Sequence, residues 1–219
     1  MHKNVYLFLL ALFLVPLVSG CGTGNTDTGE VQNLTGVEVR EYKGQNLSSI
    51  NDFRENSIEG PQNVDIKTYS LKVDGLVAKP MDFKYDEILK NTKYTKVVRL
   101  NCVEGWSVDI LWEGILLKDL LDQVKVDSAA NTVIFYAVDG YSTSLPLQTI
   151  LDKELILAYK MNGIVLPPER GFPFQLVAED KLGYKWAKWI NRIELSSNKD
   201  YLGYWEQRGY SNEADIPVK

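Results

Sequence analysis

Apolar and polar residues alternate along Tyr69-Ser70-Leu71-Lys72-Val73-Asp74-Gly75-Leu76-Val77, with turn chemistry toward its end, which predicts a strand with one buried face. Pro80 separates it from Tyr85 to Leu89, a short helix candidate. Lys96 to Leu100 reads as a second strand, and Leu116 to Val124 as an amphipathic helix. Thr132 to Val138 reads as a buried strand entering an Asp139-Gly140 turn, and Leu147 to Leu151 as a short helix. Three more strands are expected at Leu155 to Tyr159, Phe174 to Ala178 and Ala187 to Leu195, the last with period two. Strands outweigh helices, which predicts an α+β domain of mixed sheets with a few short helices.

The first residues carry a different pattern. Lys3 precedes an uncharged apolar run from Val5 to Val18, which ends in Leu17-Val18-Ser19-Gly20-Cys21. The run is shorter than the ~20 residues a spanning helix needs, so residues 1–20 read as a signal peptide. Leu-Val-Ser-Gly before Cys21 resembles a bacterial lipobox, which implies cleavage there and a diacylglycerol on the Cys21 sulfur. The chain would then be lipid-anchored on the extracytoplasmic face of the cell membrane. Residues 21–51 are rich in Gly, Thr, Asn and Gln and read as a flexible tether, leaving 52–219 as one domain. The net charge of -5 at pH 7 argues against nucleic acid as a partner.

With Cys21 lipidated, Cys102 is the one thiol left and cannot form an intramolecular disulfide. An exported chain usually pairs its cysteines or lacks them. A small buried hydrophobe is the plain explanation. A Cys-His nucleophile is excluded, because the sole histidine is His2 in the signal peptide. Zinc sites of the usual type, haem ligation and a Cys-Cys redox pair each need partners the chain lacks. A cofactor that brings most of its own ligands and takes one thiolate remains open.

Asn101-Cys102-Val103-Glu104-Gly105-Trp106-Ser107, with Trp112-Glu113-Gly114-Ile115-Leu116-Leu117, resembles the cysteine segment of the molybdopterin-dependent oxidoreductase domain of the sulfite oxidase family. Further segments match in the same order. They are Tyr69 to Val77 with Pro80, Asp139-Gly140-Tyr141-Ser142, Gly171-Phe172-Pro173, and Gly183-Tyr184-Lys185-Trp186-Ala187-Lys188-Trp189-Ile190. The resemblance implies the sulfite oxidase molybdopterin-binding fold, a molybdopterin cofactor, and Cys102 as the molybdenum ligand.

It also implies roles for other residues. Lys185 and Lys188 would contact the pterin phosphate, and Gly183 would lie in the same cofactor-binding segment. Asn56, in Phe53-Arg54-Glu55-Asn56-Ser57, matches an asparagine near the cofactor, whereas Glu55 and Ser57 replace a basic group and an imidazole. Gln175 stands where relatives often carry arginine, with Arg170 as a substitute. Glu104 matches the methionine-sulfoxide reductase branch, where a carboxylate near the metal would disfavour oxyanions, and Tyr141 would donate a proton or hydrogen bond at the metal's oxo group. The implied reaction is two-electron oxygen-atom transfer on a sulfoxide or small oxyanion. Electrons would come from a separate electron-transfer protein or a membrane quinol enzyme. The extra C-terminal dimerisation domain of animal sulfite oxidases is not expected here, and the domain reads as a monomer. A metal-free scaffold lipoprotein and a redox-sensing thiol are the alternatives.

Overall fold

The computed structural model describes residues 36–217. The expected signal peptide, Cys21 and most of the expected tether lie outside the described residues.

A small hairpin, β1 (Glu41–Tyr42) with β2 (Gln45–Asn46), precedes two five-stranded sheets. The first sheet holds β5 (Tyr94–Asn101), β6 (Ser107–Leu116), β9 (Ile156–Met161) and β10 (Ile164–Val165), with β11 (Gln175–Val177) also on β9. The second runs β4 (Met81–Lys84), β3 (Ser70–Gly75), β12 (Ile190–Ser196), β7 (Thr132–Ala137) and β8 (Ser142–Pro146). The β3–β12 pair is parallel and the other pairs in this sheet are antiparallel, giving the mixed sheet expected of an α+β fold. Three short helices accompany them: α1 (Tyr85–Ile88), α2 (Leu117–Val124) and α3 (Leu147–Asp152).

Helix α2 follows its sequence pattern closely. Leu117, Leu120, Leu121 and Val124 fall at i, i+3, i+4 and i+7, and all four are buried. Each such side chain stabilises the fold by about 1.5–3 kcal/mol relative to exposure. The helix stops at Lys125, whose left-handed backbone (φ 56°) lets its N–H donate to the Leu121 carbonyl.

Three strands depart from the hydrophobic pattern. β6 is buried on both faces over much of its length, with Ile110, Trp112 and Ile115 fully enclosed, so it shows no alternation to read. β8 is Ser-Thr-Ser-Leu-Pro, whose Thr143 hydroxyl is buried on a carboxylate instead of facing apolar neighbours. β4 is four residues long. The strand expected from Ala187 begins only at Ile190, because Trp189 has a positive φ of 50°.

The expected tether needs correction over 36–51. Leu47 and Ile50 are buried, and polar groups fasten the segment to the sheet. Fully buried Asn162 donates through Nδ2 to Glu38 and to the Ser48 carbonyl, both at 2.8 Å, and its Oδ1 accepts the Leu111 N–H at 3.0 Å. Glu38 also accepts the Ile50 N–H at 2.7 Å. The polar composition that suggests solvation serves docking instead, because its partners come from distant parts of the chain. Asn162→Ala, which strands these groups, is expected to lower unfolding free energy by about 2–4 kcal/mol. Chemical denaturation measures this, and limited proteolysis should then cut within 36–51 first.

Candidate active site

Strands β5 and β6 pair in register to Asn101 opposite Ser107, so residues 102–106 form the connecting loop. The Cys102 N–H donates to the Trp106 carbonyl at 2.9 Å, and the Gly105 N–H to the Cys102 carbonyl at 3.1 Å. Gly105 closes the turn with φ 90°, a conformation open to glycine at no steric cost. An isolated parallel bridge between Asn101 and Leu182 brings the Gly183 segment behind the cysteine.

Cys102 is half-buried at a cavity of about 430 Å³. Burial pushes its thiol pKa up and the negative charge of Glu104 adds to this, while backbone N–H groups and Asn56 act the other way. Asn56 Nδ2 lies 3.9 Å from the Cys102 sulfur and 3.3 Å from Glu104 Oε2. The same carboxylate oxygen accepts from Trp106 Nε1 at 3.0 Å and from Arg54 at 2.9 Å. Those donors, led by Trp106, hold the Glu104 carboxyl below its ordinary pKa, so it is anionic at neutral pH.

Lys188 lines the cavity and pairs with Glu55, with its ammonium 4.4 Å from the Trp189 ring. Arg170 is 2 % exposed; its Nε donates to the Ile50 carbonyl at 2.9 Å and its Nη2 to the Phe53 carbonyl at 2.8 Å. Burial lowers its pKa to about 10, which keeps it cationic. Arg170 thus fastens the loop that carries Arg54, Glu55 and Asn56. Gly183 lies on the cavity wall, where an added Cβ would stand 3.5 Å from the Asn101 carbonyl oxygen and 3.8 Å from the Cys102 Cα.

Two expected contacts are corrected. Lys185 does not reach the cavity: its side chain is fully buried and donates to Glu206 at 2.5 Å, Asn212 Oδ1 at 2.9 Å and the Ser144 carbonyl at 3.0 Å. The motif places this lysine between two aromatics, where a phosphate contact is expected; the 3-10 turn Gly183–Lys185 points it into the protein instead. Tyr141 does line the cavity, yet its hydroxyl proton is already engaged by the Tyr184 carbonyl. Burial raises its pKa further.

The sequence pattern assigns no site role to Arg54, which holds Glu104. The Tyr204 to Tyr210 tail resembles the end of short family members that folds back onto the domain, but nothing in it places Trp205 and Tyr210 on the cavity wall, where they stand. Their aromatic and cationic character gives no local signal, because they enter the site from opposite ends of the chain.

The oxidoreductase molybdopterin binding domain family matches residues 58–205. The chain belongs to this family. It is 34% identical over 156 residues to the uncharacterized oxidoreductase YuiH of Bacillus subtilis, covering 71% of this chain and 78% of that one. It is 35% identical over 150 residues to a protein of Azospira oryzae named "Putative protein-methionine-sulfoxide reductase subunit YedZ1", covering 68% of this chain and 57% of that one. Mouse mitochondrial sulfite oxidase is 31% identical over 189 residues, 72% of this chain and 34% of its own length. The chain therefore spans about a third of that sulfite oxidase and over half of the Azospira protein. The sulfane dehydrogenase SoxCD of Paracoccus pantotrophus shares the fold, with a TM-score of 0.63 at 23% identity over 66% of this chain and 42% of its own. Together these make the protein a molybdopterin oxidoreductase of the sulfite oxidase family, an enzyme that uses a molybdenum-pterin cofactor.

The cavity fits that cofactor. Among the described residues no three His, Cys, Asp or Glu side chains gather to hold a metal. Cys102 offers one soft donor into the cavity, and a coordinated cation deprotonates a thiol despite the raised pKa.

Lys185→Met would leave Glu206 as a buried uncompensated charge, and is expected to cost about 3–5 kcal/mol of stability. Thermal and denaturant unfolding measure it; a loss below about 1 kcal/mol would place Lys185 outside the fold's support.

Proposed function

We propose that the protein is a lipid-anchored, extracytoplasmic molybdenum-pterin reductase that removes an oxygen atom from a neutral sulfoxide. In the balanced reaction a sulfoxide takes up two electrons and two protons, its sulfur–oxygen bond breaks, and one thioether and one water are formed. The observation that carries this reading is the charge around Cys102: Glu104 is anionic beside it, and Arg54 and Lys188 are already paired with carboxylates. A dianion such as sulfite would meet repulsion there, whereas a neutral dipole would not. The methionine-sulfoxide reductase name carried by the Azospira relative points the same way.

The cofactor, when bound, supplies the two-electron couple for oxygen-atom exchange. Cys102 supplies the protein's thiolate ligand, and Asn56 fixes the orientation of that sulfur. Glu104, held by three donors, keeps Asn56 in place and sets a negative charge beside the reacting centre. Lys188, paired with Glu55, is the cavity-lining lysine that would hold the cofactor's phosphate. Gly183 leaves the cavity wall behind Cys102 free of a side chain.

Electrons come from a separate electron-transfer protein or a membrane quinol enzyme. The two cysteines and the single histidine leave no ligand set for a haem or iron-sulfur cluster in this chain. Anchoring through Cys21 would keep a monomeric domain beside such a partner.

Protein matured with the cofactor pathway is expected to contain about one molybdenum per chain and to release a fluorescent pterin on oxidation, with Cys102→Ser losing or electronically altering the metal. Wild type without metal and pterin sinks the reading. Turnover of sulfite in preference to methyl sulfoxides would leave the metal centre and overturn the substrate. For the anchor, Cys21→Ala is expected to shift the protein from the membrane fraction to the soluble extracytoplasmic fraction; unchanged membrane retention counts against lipidation.

A further inference from the structure

The segment after β12 adds no strand, yet it crosses the cavity and is fastened at both ends. Gly203 passes so close to β8 that an added Cβ would stand 2.3 Å from the Ser142 carbonyl oxygen, and that carbonyl accepts the Tyr204 N–H at 2.9 Å. Buried Glu206 takes Lys185 at 2.5 Å and the Thr143 hydroxyl at 2.7 Å. Past the turn, the Tyr184 hydroxyl donates to the Ser211 carbonyl at 2.7 Å and the Leu182 N–H to the Ala214 carbonyl at 2.8 Å. Lys181 pairs with Asp215 at 2.5 Å.

Trp205 and Tyr210 stand between these fastenings, and both line the cavity that holds Cys102. Their ring centroids are 5.2 Å apart at 60°, and Tyr184 meets Tyr210 edge-on at 5.3 Å. Tyr210 is 41% exposed, so its ring, set by two aromatic neighbours, is open to a ligand entering the cavity. Neither ring takes part in holding Cys102, Glu104 or Lys188.

We propose that Trp205 and Tyr210 are specificity-determining residues: an aromatic wall that takes the apolar flank of a neutral sulfoxide. Lys185 and Glu206 are positioning residues that hold this wall in place. The inference rests on the sulfoxide reading of the site. Four carboxylates, Glu55, Glu104, Asp139 and Glu169, line the cavity, and its three cations are engaged: Arg54 with Glu104, Lys188 with Glu55, and Arg170 with two carbonyls. Recognition through charge is therefore weak. The wall offers apolar area and ring faces that attract sulfur and aryl groups, at little entropic cost because it is fastened beforehand.

The test uses the cofactor-loaded full chain. Calorimetric titration with methyl p-tolyl sulfone, a probe lacking the reducible sulfur–oxygen bond of a sulfoxide, reads binding without turnover. Steady-state reduction of methyl p-tolyl sulfoxide and dimethyl sulfoxide, driven by a reduced viologen, reads selectivity. Trp205→Ala and Tyr210→Ala are each expected to weaken sulfone binding and raise KM for the aryl sulfoxide about tenfold, with kcat retained and KM for dimethyl sulfoxide within about twofold. Trp205→Phe should restore most of the affinity. Lys185→Met combined with Glu206→Leu removes the buried pair as a unit, and should lower aryl preference through KM and not kcat.

Sulfone affinity unchanged in folded Tyr210→Ala and Trp205→Ala, or absent in wild type, overturns the wall. Equal changes in KM for both sulfoxides do the same. Wall-dependent sulfone binding without turnover of any sulfoxide would instead overturn the proposed reaction and leave the wall standing.

Discussion

The site depends on two buried cations that fasten the stretch before β3 and the stretch after β12 onto a β scaffold. Arg170 holds the carbonyls of Ile50 and Phe53, and Lys185 holds Glu206. Neither meets the cavity as a free charge, and each fixes a wall of it. The family match covers residues 58–205, whereas Phe53 to Ser57 and Tyr210 line the cavity from outside that span. Desolvating a guanidinium or an ammonium is expensive, so the cost is recovered only when every donor finds its acceptor. That requirement makes the anchoring geometry specific.

The same matching of charges shapes the chemistry. Around Cys102, Glu104 is held by Trp106, Asn56 and Arg54, and Lys188 is held by Glu55. A cavity whose charges are internally matched has little field left to collect an anionic substrate, and relies on dipoles and apolar contact instead. The aromatic residues supply that contact. The Cys102 thiol is given a surrounding that favours its neutral form until a cation binds it.

Elements with one buried face were legible. Helix α2 and strand β3 lie near where their periodicity places them, because a single face decides the pattern. Strand β6 was not, since its centre is covered on both faces, and neither was β8, whose Thr143 hydroxyl is satisfied by Glu206 at the far end of the chain. The stretch from 36 to 51 reads as a solvated tether because its polar groups look ready for water. Asn162 and Arg170 receive them instead.

The hydrophobic periodicity of the sequence by itself determined the α+β class, and the resemblance carried by the Cys102 and Gly183 motifs determined the family and the molybdenum-pterin cofactor, because both are written in local order along the chain. Tertiary structure alone decided which lysine faces the cavity. Lys185 and Lys188 are three residues apart in one motif, yet a 3-10 turn sends the first into a buried ion pair and leaves the second on the cavity wall. Side-chain direction at a turn depends on backbone angles and on a carboxylate twenty-one positions away, and neither is encoded in the motif's spacing. The same holds for the wall of Trp205 and Tyr210: their aromatic character is written in the chain, but only the folding back of the last segment brings them to the cysteine.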